Sequence, residues 1–365
     1  MKSFDIAVIG GGPAGLKAAI SAANIGARVV LIDDAEKLGG QLVKQTHMFF
    51  GSEEQQAGTR GIDIGNMLIK MISLFPNIEV MLTTTVLGLF DDGVITLEQA
   101  GNYKKTQAKK VIVATGASEK MILFPGNDLP GVYGAGAVQT LMNVHGVKPG
   151  DKVLMIGAGN IGLIVSYQLL QAGVEVVAIV EGSPHIGGYL VHAAKVRRAG
   201  VPILTGYTIK EARGFNKVQE AIICRLDENW NQVAETEKVL EVDTICLAVG
   251  LSPLSDLLWQ ADCSMVHVSA LGGYVAWRDE NLCTSRRDIF IAGDVAGVEE
   301  ASSAMVEGEL AGLLAAKSLG YGSDEIENQI ISARRQLEGL RAGPMGEKLR
   351  RGLKLVQGRE EGHAD

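Results

Sequence analysis

The chain has 365 residues, of which 47% are hydrophobic and 21% charged, so a disordered or fibrous protein is excluded and two domains can be accommodated. Its net charge of −8 at pH 7 argues against nucleic acid or an anionic membrane as a partner, since both need clustered positive charge. The 46 glycines beside only 9 prolines predict many tight turns, and no uncharged apolar run reaches the ~18 residues of a membrane span.

The first predicted elements are a strand, a glycine-rich turn, a helix and a second strand. An apolar strand starts near residue 5 and enters the turn at residues 10–15, and the helix covers residues 16–25. The second strand covers residues 27–34 and ends in two acids. This order is typical of the dinucleotide-binding βαβ unit, in which phosphates bind N–H groups at the helix N-terminus.

The glycines of this turn have separate roles. Gly10 allows the tight turn out of the strand, Gly12 lets the backbone approach a pyrophosphate, and Gly15 lets the helix pack on the strand. The closing acid accepts hydrogen bonds from ribose hydroxyls. Asp33 is expected to be this acid, with Asp34 as the alternative.

Residues 152–181 repeat the pattern with Gly157, Gly159 and Gly162 in the turn and Glu181 as the closing acid. One such motif is weak evidence, whereas two, each between a strand and a helix, predict two dinucleotide sites. A carboxylate at Glu181 accepts from a 2′-hydroxyl and repels a 2′-phosphate, and residues 182–186 supply no arginine. We therefore expect NAD(H) rather than NADP(H) at the second site.

Other landmarks surround the second unit. Apolar strands at residues 111–116 and 244–250 are expected to leave and re-enter one domain. A third strand within residues 284–294 ends in Gly-Asp and precedes a small-residue helix at 301–319. These motifs, over residues 4–322, resemble those of the flavoproteins with two dinucleotide-binding domains, the pyridine nucleotide-disulfide oxidoreductase-like family.

The resemblance implies an α/β fold with two Rossmann-like dinucleotide-binding domains of the three-layer ββα type. The FAD domain is expected at residues 1–115 and 250–325, and the inserted NAD domain at 116–249. Residues 326–365 are expected to form a helical, basic C-terminal tail. Its amphipathic segment either folds back on the chain, which we prefer, or docks a partner subunit; binding to a membrane surface is the least favoured use.

The resemblance also implies which residues contact each cofactor. Asp294 would hold a ribityl hydroxyl of FAD, and the helix beginning at Ala301 would point its N-terminus at the flavin. The implied FAD-binding residues are Gly10, Gly12, Pro13, Ala14, Gly15, Asp33, Asp34, Gly40, Gln41, Ala114, Thr115, Gly116, Gly293, Asp294 and Ala301. The implied NAD-binding residues are Gly157, Gly159, Asn160, Ile161, Gly162, Glu181, Val249 and Gly250.

The chain departs from the family in its cysteines. Thioredoxin reductases carry a CxxC pair in the nicotinamide domain, but the matching residues 131–139 contain no cysteine. Other disulfide reductases of the family carry a CxxxxC pair in the first helix, but the matching residues 41–46 contain no cysteine either. A flavin without a nearby dithiol cannot reduce a disulfide by thiol exchange. Disulfide reduction is therefore excluded, and no spacing typical of a metal site is present.

A narrower resemblance is carried by residues 39–47, 144–153 and 193–206. These segments are similar to the FAD/NAD-binding subunits of multisubunit amine-oxidising enzymes: sarcosine oxidase alpha, archaeal proline dehydrogenase alpha, opine oxidase and hydrogen cyanide synthase. Several such subunits continue into a [2Fe–2S] domain. Since no cysteine follows Cys283, we expect any iron–sulfur centre on another polypeptide.

These resemblances predict an FAD-dependent oxidoreductase that transfers hydride between FAD and NAD(H). We expect it to be the electron-transfer subunit of a cytoplasmic amine or amino-acid dehydrogenase, whose partner subunit carries a second flavin or an iron–sulfur centre. Alternatives are a stand-alone NADH-dependent reductase of oxygen, a quinone or a small carrier, and a structural subunit with ADP or ATP in the second site. No catalytic residue is assigned; His47 and Lys44 are the candidates nearest the flavin, although a surface role for them is preferred.

Overall fold

The computed structural model describes residues 1–344 and 346–357. They form two compact units. Unit 1 comprises Met1–Ser118 together with the described residues from Ser252 onward, and unit 2 comprises Glu119–Leu251. Residues 345 and 358–365, which belong to the predicted tail, lie outside the described residues.

The described residues form both strands and α-helices. The strands are β1 (Lys2–Ile9), β2 (Val29–Ile32), β3 (Ile78–Met81), β4 (Thr84–Leu89), β5 (Val94–Gln99), β6 (Asn102–Val113), β7 (Ala117–Glu119), β8 (Val132–Gly134), β9 (Lys152–Ile156), β10 (Glu175–Glu181), β11 (Ile203–Thr205), β12 (Tyr207–Arg213), β13 (Glu220–Arg225), β14 (Lys238–Glu241), β15 (Thr244–Leu247), β16 (Leu251–Pro253), β17 (Met265–Val268), β18 (Gly273–Ala276) and β19 (Ile289–Ile291). The α-helices of the described residues are α1 (Pro13–Asn24), α2 (Gly61–Ile72), α3 (Ala135–Asn143), α4 (Asn160–Gln171), α5 (Leu190–Arg198), α6 (Asp256–Gln260), α7 (Ala301–Lys317), α8 (Asp324–Leu340) and α9 (Glu347–Gln357).

Unit 1 is built on a seven-stranded sheet. Its order is β3-β2-β1-β6-β5-β4, and β19 pairs with β6. The strands β3, β2, β1, β6 and β19 run parallel, whereas β4, β5 and β6 form an antiparallel meander. Because the parallel strands end at one edge, the loops that follow β1, β2, β6 and β19 meet there.

Both faces of this sheet are buried. Ile6 and Val8 of β1 face a core shared with α1, α2, α7 and α8, and Ala7 and Ile9 face a second core with β4, β5 and α6. Alternate residues of a strand point to opposite faces, so a parallel strand covered on both sides needs a continuous apolar run. This explains why residues 6–9 carry no polar side chain.

Helix α7 lies directly against α1. A Cβ added to Gly308 would lie 2.0 Å from the Ala14 carbonyl oxygen, and one added to Gly312 would lie 2.3 Å from that of Ala18. The two glycines therefore let the helix backbones approach closely. This contact packs the start of α1 against the middle of α7.

The segment predicted as a C-terminal tail packs on unit 1. In α8, Ile326, Ile330 and Leu337 enter the same core as α1 and α7. In α9, Val356 is 1% exposed and packs with Leu271 and its neighbours, beside Leu349 and Leu353. The apolar side of α9 is thus folded back on the chain.

Unit 2 repeats the layered arrangement. A parallel five-stranded sheet of order β11-β10-β9-β15-β8 packs its helices α3, α4 and α5 on one face and the antiparallel sheet β12-β13-β14 on the other. Val153 and Met155 of β9 face the helices, and Leu154 and Ile156 face the antiparallel sheet. The predicted α/β fold with two Rossmann-like domains is confirmed. Within residues 1–344 and 346–357, no helix is long and apolar enough to cross a membrane.

Candidate functional site

The first glycine turn, residues 10–15, follows β1 and starts α1. A Cβ at Gly10 would lie 2.3 Å from the Ala114 carbonyl oxygen, and one at Gly15 would lie 1.7 Å from the Gly10 carbonyl oxygen. Packing within the chain therefore requires both glycines. A Cβ at Gly12 would meet only Gly40 Cα, at 3.9 Å, so the described residues leave the space beside Gly12 open, as a pyrophosphate needs.

Asp33, at the end of β2, is bound to this turn. Its carboxylate accepts hydrogen bonds from the N–H of Gly11 and, at 2.9 Å, from the N–H of Ala35. Burial raises the pKa of Asp33, and these backbone donors act against it. Asp34 is exposed. The geometry thus places Asp33 beside the turn, whereas Asp34 points to solvent.

The loop after β2 covers the first glycine turn. The N–H of Gly39 donates to the carbonyl oxygen of Gly11 at 2.8 Å, and a Cβ at Gly40 would lie 2.7 Å from Gly12 Cα. Gln41 is exposed, and Lys44 and His47 are half-buried farther along. The loop therefore packs its Gly40 backbone against Gly12.

Residues that follow β6 and β19 complete this edge of the sheet. The Ala114 N–H donates to the carbonyl oxygen of Ile9 at 2.8 Å, and the Thr115 hydroxyl donates to the carbonyl oxygen of Leu254 at 2.7 Å. Gly293 has φ +77°, and a Cβ there would lie 2.8 Å from that of Ala14. The predicted FAD residues from four strand ends are thus brought together around α1.

Asp294 begins the turn that leads to α7. Its carboxylate accepts a hydrogen bond from the N–H of Glu299 at 3.3 Å. The pKa of Asp294 is raised to about 7, mainly by burial. The hydrogen bond from the Glu299 N–H lowers this pKa, and the negative charges of Glu299 and Glu307 raise it. Ala301 begins α7, a helix of 17 residues whose N-terminus carries a partial positive charge.

The second glycine turn, residues 157–162, has the same construction. A Cβ at Gly157 would lie 2.3 Å from the Ala248 carbonyl oxygen, and one at Gly162 would lie 2.1 Å from the Gly157 carbonyl oxygen. No atom of the described residues lies within 4 Å of a Cβ at Gly159. As in unit 1, the middle glycine is the one that packing does not explain.

Glu181 is bound to the second turn as Asp33 is to the first. It accepts hydrogen bonds from the N–H of Ala158 at 2.8 Å and of Ser183 at 2.9 Å. The N–H of Gly188 donates to the carbonyl oxygen of Ala158 at 2.9 Å. Asn160 accepts from the N–H of Tyr189 at 2.8 Å, so its side chain holds the loop over the turn.

Sequence reasoning missed Ala248, Gly187 and Gly188. Ala248 lies against Gly157 as Ala114 lies against Gly10, whereas the predicted Val249 packs into the core of unit 2. The available indication was a longer repeat: Ala-Val-Gly at 248–250 matches Ala-Thr-Gly at 114–116, and Ile-Gly-Gly at 186–188 matches Leu-Gly-Gly at 38–40.

The cysteines are unsuited to thiol chemistry. All four are free and buried. Burial raises the pKa of each thiol, to about 11 for Cys283. A thiol that stays protonated is a poor nucleophile. Within the part of the chain that the structure describes, no group of three or more His, Cys, Asp or Glu side chains could hold a metal ion.

Several curated proteins are similar over most of this chain. An opine oxidase subunit from Agrobacterium tumefaciens is 28% identical over 366 residues, which cover 92% of this chain and 71% of that protein. Hydrogen cyanide synthase subunit HcnB of Pseudomonas aeruginosa is 27% identical over 84% of this chain and 69% of its own length. The alpha subunit of sarcosine oxidase from Rhizobium meliloti is 35% identical over 54% of this chain, and the match spans only 21% of that protein.

Solved structures show the same fold. The crystal structure of L-proline dehydrogenase from P. horikoshii matches with a TM-score of 0.67 and 24% identity, over 90% of this chain and 59% of that one. Thioredoxin reductase from T. acidophilum matches with a TM-score of 0.72 and 21% identity, over 87% of this chain and 99% of that one. At these identities the likeness establishes the fold alone.

The model of the pyridine nucleotide-disulphide oxidoreductase family matches residues 4–308, which include both glycine turns and the Gly293–Asp294 turn. The open space beside Gly12 and Gly159 fits the two dinucleotides that this family implies. The chain therefore belongs to the pyridine nucleotide-disulphide oxidoreductase family and is an FAD-dependent oxidoreductase that binds FAD and a pyridine nucleotide.

Proposed function

We propose that the chain is the NAD-linked electron-transfer subunit of an amine or amino-acid dehydrogenase. In this proposal unit 1 holds FAD, unit 2 holds NAD, and hydride passes between them. The observation that carries it is the pair of glycine turns whose middle glycines, Gly12 and Gly159, face open space, in a chain whose cysteines are all buried.

The residues of unit 1 would bind and orient the flavin nucleotide. The pyrophosphate would lie beside Gly12 at the N-terminus of α1, where a positive helix end favours an anion. Asp33 would accept hydrogen bonds from the ribose, using the carboxylate lone pairs that Gly11 and Ala35 leave available. When bound, FAD supplies the hydride chemistry itself. The protein holds it with Asp294 and the N-terminus of α7.

The residues of unit 2 would favour NAD over NADP. Glu181 is held by the N–H groups of Ala158 and Ser183, so its carboxylate is fixed where a ribose is expected. A fixed negative charge repels a 2′-phosphate and accepts a hydrogen bond from a 2′-hydroxyl. The preference for NAD over NADP would therefore follow from the charge of the Glu181 carboxylate and its fixed position.

The names of the relatives support a role within a larger enzyme. The opine oxidase relative, HcnB and the sarcosine oxidase relative are each named as one subunit of an enzyme. We propose a partner that carries a second flavin or a [2Fe–2S] centre and binds the amine or amino acid. Electrons would pass from that partner to the FAD of this chain and then to NAD.

A second candidate is a structural ADP or ATP in unit 2. It is favoured by the similarity of the two turns, because Gly188 covers Ala158 as Gly39 covers Gly11. Such a turn recognises a pyrophosphate and a ribose, which NAD and ADP share. In this case unit 2 would bind a nucleotide without any hydride transfer.

An anaerobic titration of the purified chain with NADH, followed at the oxidised-flavin absorbance band, tests the proposal. We expect NADH to bleach the flavin and NADPH to be at least about tenfold less effective, since ~1.4 kcal/mol of charge repulsion corresponds to that factor. Gly159→Ala is the matched control, because it should keep the flavin but lose its reduction by NADH. A flavin that stays oxidised, with ADP or ATP released on denaturation, would favour the structural role. Rapid turnover with oxygen or a quinone would favour a stand-alone reductase.

A further inference from the structure

We propose that Arg341 is a positioning residue for the flavin. Through Glu299 and Glu307 it would fix the Gly293–Asp294 turn, although it lies beyond residues 4–308, which the family model matches. The inference rests on the proposed binding of FAD by unit 1. It gives the C-terminal helices a role in the cofactor site.

Glu307 joins Gly293 to two arginines. Its Oε2 accepts the N–H of Gly293 at 2.8 Å, and its Oε1 accepts from Arg278 Nη1 and from Arg341 Nη2, each at 2.8 Å. The Glu307 side chain is 1% exposed and that of Arg278 is 4% exposed. Three charge-assisted hydrogen bonds on one buried carboxylate fix its position. The Gly293 backbone is held with it.

Glu299 joins Arg341 to Asp294. The Nε of Arg341 donates to Glu299 Oε2 at 3.1 Å, and its Nη2 donates to Glu299 Oε1. The N–H of Glu299 then donates to the Asp294 carboxylate at 3.3 Å. Arg341 therefore acts on both residues of the turn, on Gly293 through Glu307 and on Asp294 through Glu299.

Two acidic and two basic side chains form this cluster: Glu299, Glu307, Arg278 and Arg341. Burial alone would raise the pKa of Glu307, but Arg278 and Arg341 overcome this effect and lower the pKa to about 2. Two carboxylates thus face two guanidinium groups. Removal of one arginine would leave an uncompensated buried negative charge, which is strongly unfavourable. That charge would lie beside Asp294, where the flavin is proposed to bind.

Helix α8 delivers Arg341 to this position. Arg341 directly follows the helix, and Ile330, Ala333 and Leu337 anchor α8 in the core that contains α7. The side chain of Arg341 is 13% exposed. The guanidinium is therefore placed by buried packing along the whole helix.

The test compares Arg341→Met, Arg341→Lys and the control Arg335→Met in the full chain. Arg335 is on the same helix and is exposed. Two quantities are measured: the FAD dissociation constant, by flavin fluorescence, and the midpoint potential of the flavin as a function of pH. Circular dichroism and thermal unfolding report whether each variant is folded.

We expect Arg341→Met to weaken FAD binding about tenfold or more, as loss of a charged hydrogen bond would, and to lower the midpoint potential. Arg341→Lys should restore much of the potential, because it restores the charge, but less of the affinity, because it cannot bridge both acids. If Arg341→Met does not fold, it is replaced by the double variant Glu299→Gln, Arg341→Met, which removes one charge of each sign. The double variant should have a midpoint potential close to that of the wild type but should still bind FAD more weakly.

Wild-type affinity and potential in Arg341→Met, or in the double variant where that is used, would overturn the inference and leave the proposed function intact. An equal effect of Arg335→Met would also overturn it. If the wild-type chain binds no FAD, the assignment of unit 1 fails and the inference fails with it.

Discussion

The glycines of each turn divide by what surrounds them. A Cβ at Gly10 or Gly15 would collide with the backbone of the chain, whereas a Cβ at Gly12 would reach open space. Gly12 also has φ −78°, which any residue can adopt. We therefore expect the fold and the binding of the ligand to depend on different glycines of the same turn.

Gly12→Ala should abolish FAD binding while it leaves the fold intact. The added methyl group occupies the proposed position of the pyrophosphate, and the loss of a glycine N-cap costs about 1 kcal/mol. The measurement is FAD content after purification, together with the free energy of unfolding of the apoprotein in urea.

Gly15→Ala is the matched change in the same turn. Its methyl group would lie 1.7 Å from the Gly10 carbonyl oxygen, so this variant should lose roughly 3 kcal/mol of stability or more. If Gly12→Ala were as unstable as Gly15→Ala, or if it still bound FAD at wild-type affinity, the assignment of the open space to a ligand would be wrong.

Among the elements, α9 shows most directly how the chain uses an amphipathic helix. Its basic and apolar residues suggested either a fold-back or a docking surface, and the structure packs Leu349, Leu353 and Val356 on the cluster around Leu271. Gly352 lies so close that a Cβ would reach Leu271 at 2.8 Å. Helix α9 is therefore closely packed against the rest of unit 1.

Val356→Ala should lower the stability of unit 1 by about 2 kcal/mol, because it removes two buried methyl groups and leaves a cavity. Urea denaturation of the intact chain measures this. Leu355→Ala is the control, since Leu355 is 60% exposed and its truncation should cost less than ~0.5 kcal/mol. Equal effects of the two changes would show that α9 does not pack as described.

At the scale of the whole molecule, the fold could be predicted from sequence because its evidence is local. Each glycine turn lies within one short segment, and a strand before it and a helix after it fix the βαβ unit. The same evidence appears twice, at residues 10–15 and 157–162. Two Rossmann-like domains follow from this repetition.

The rest of the site could not be predicted, because it depends on distant pairs. Arg278 and Arg341 meet Glu307 from opposite directions along the chain, and no periodicity links them. Ala248 was missed because its contact with Gly157 uses a backbone oxygen, which any residue type could supply. The assignments of cofactor contacts to individual residues stay predictions.

The pH dependence of stability in unit 1 should carry a contribution from Asp294. Burial raises its pKa from an ordinary 3.8 to about 7, so the folded apoprotein binds this proton more tightly than the unfolded chain does. The free energy of unfolding must then fall as the pH rises between these two values. Above a pH of about 7 the contribution of Asp294 to this free energy no longer changes. Asp294→Asn removes this penalty.

The comparison uses Asp294→Asn and the parent apoprotein, each with Trp230→Phe so that fluorescence reports Trp259 and Trp277 of unit 1. Their difference in free energy of unfolding should widen in favour of Asp294→Asn from pH 5 to 7 and then level off. The raised pKa of Asp33 is common to both proteins and cancels. A difference that does not change with pH would contradict the raised pKa.

The contact of α7 with α1 also sets an order of events during synthesis. The first glycine turn leaves the ribosome early, but Gly293 and Gly308, which pack against Ala14, emerge only after all of unit 2. At roughly 5–20 residues per second, that interval lasts roughly 15–60 s. Unit 2, a continuous segment, can fold during this time. The pocket proposed for the flavin is therefore completed late, and the nascent chain can fold unit 2, the proposed nicotinamide-binding domain, before unit 1 is able to retain FAD.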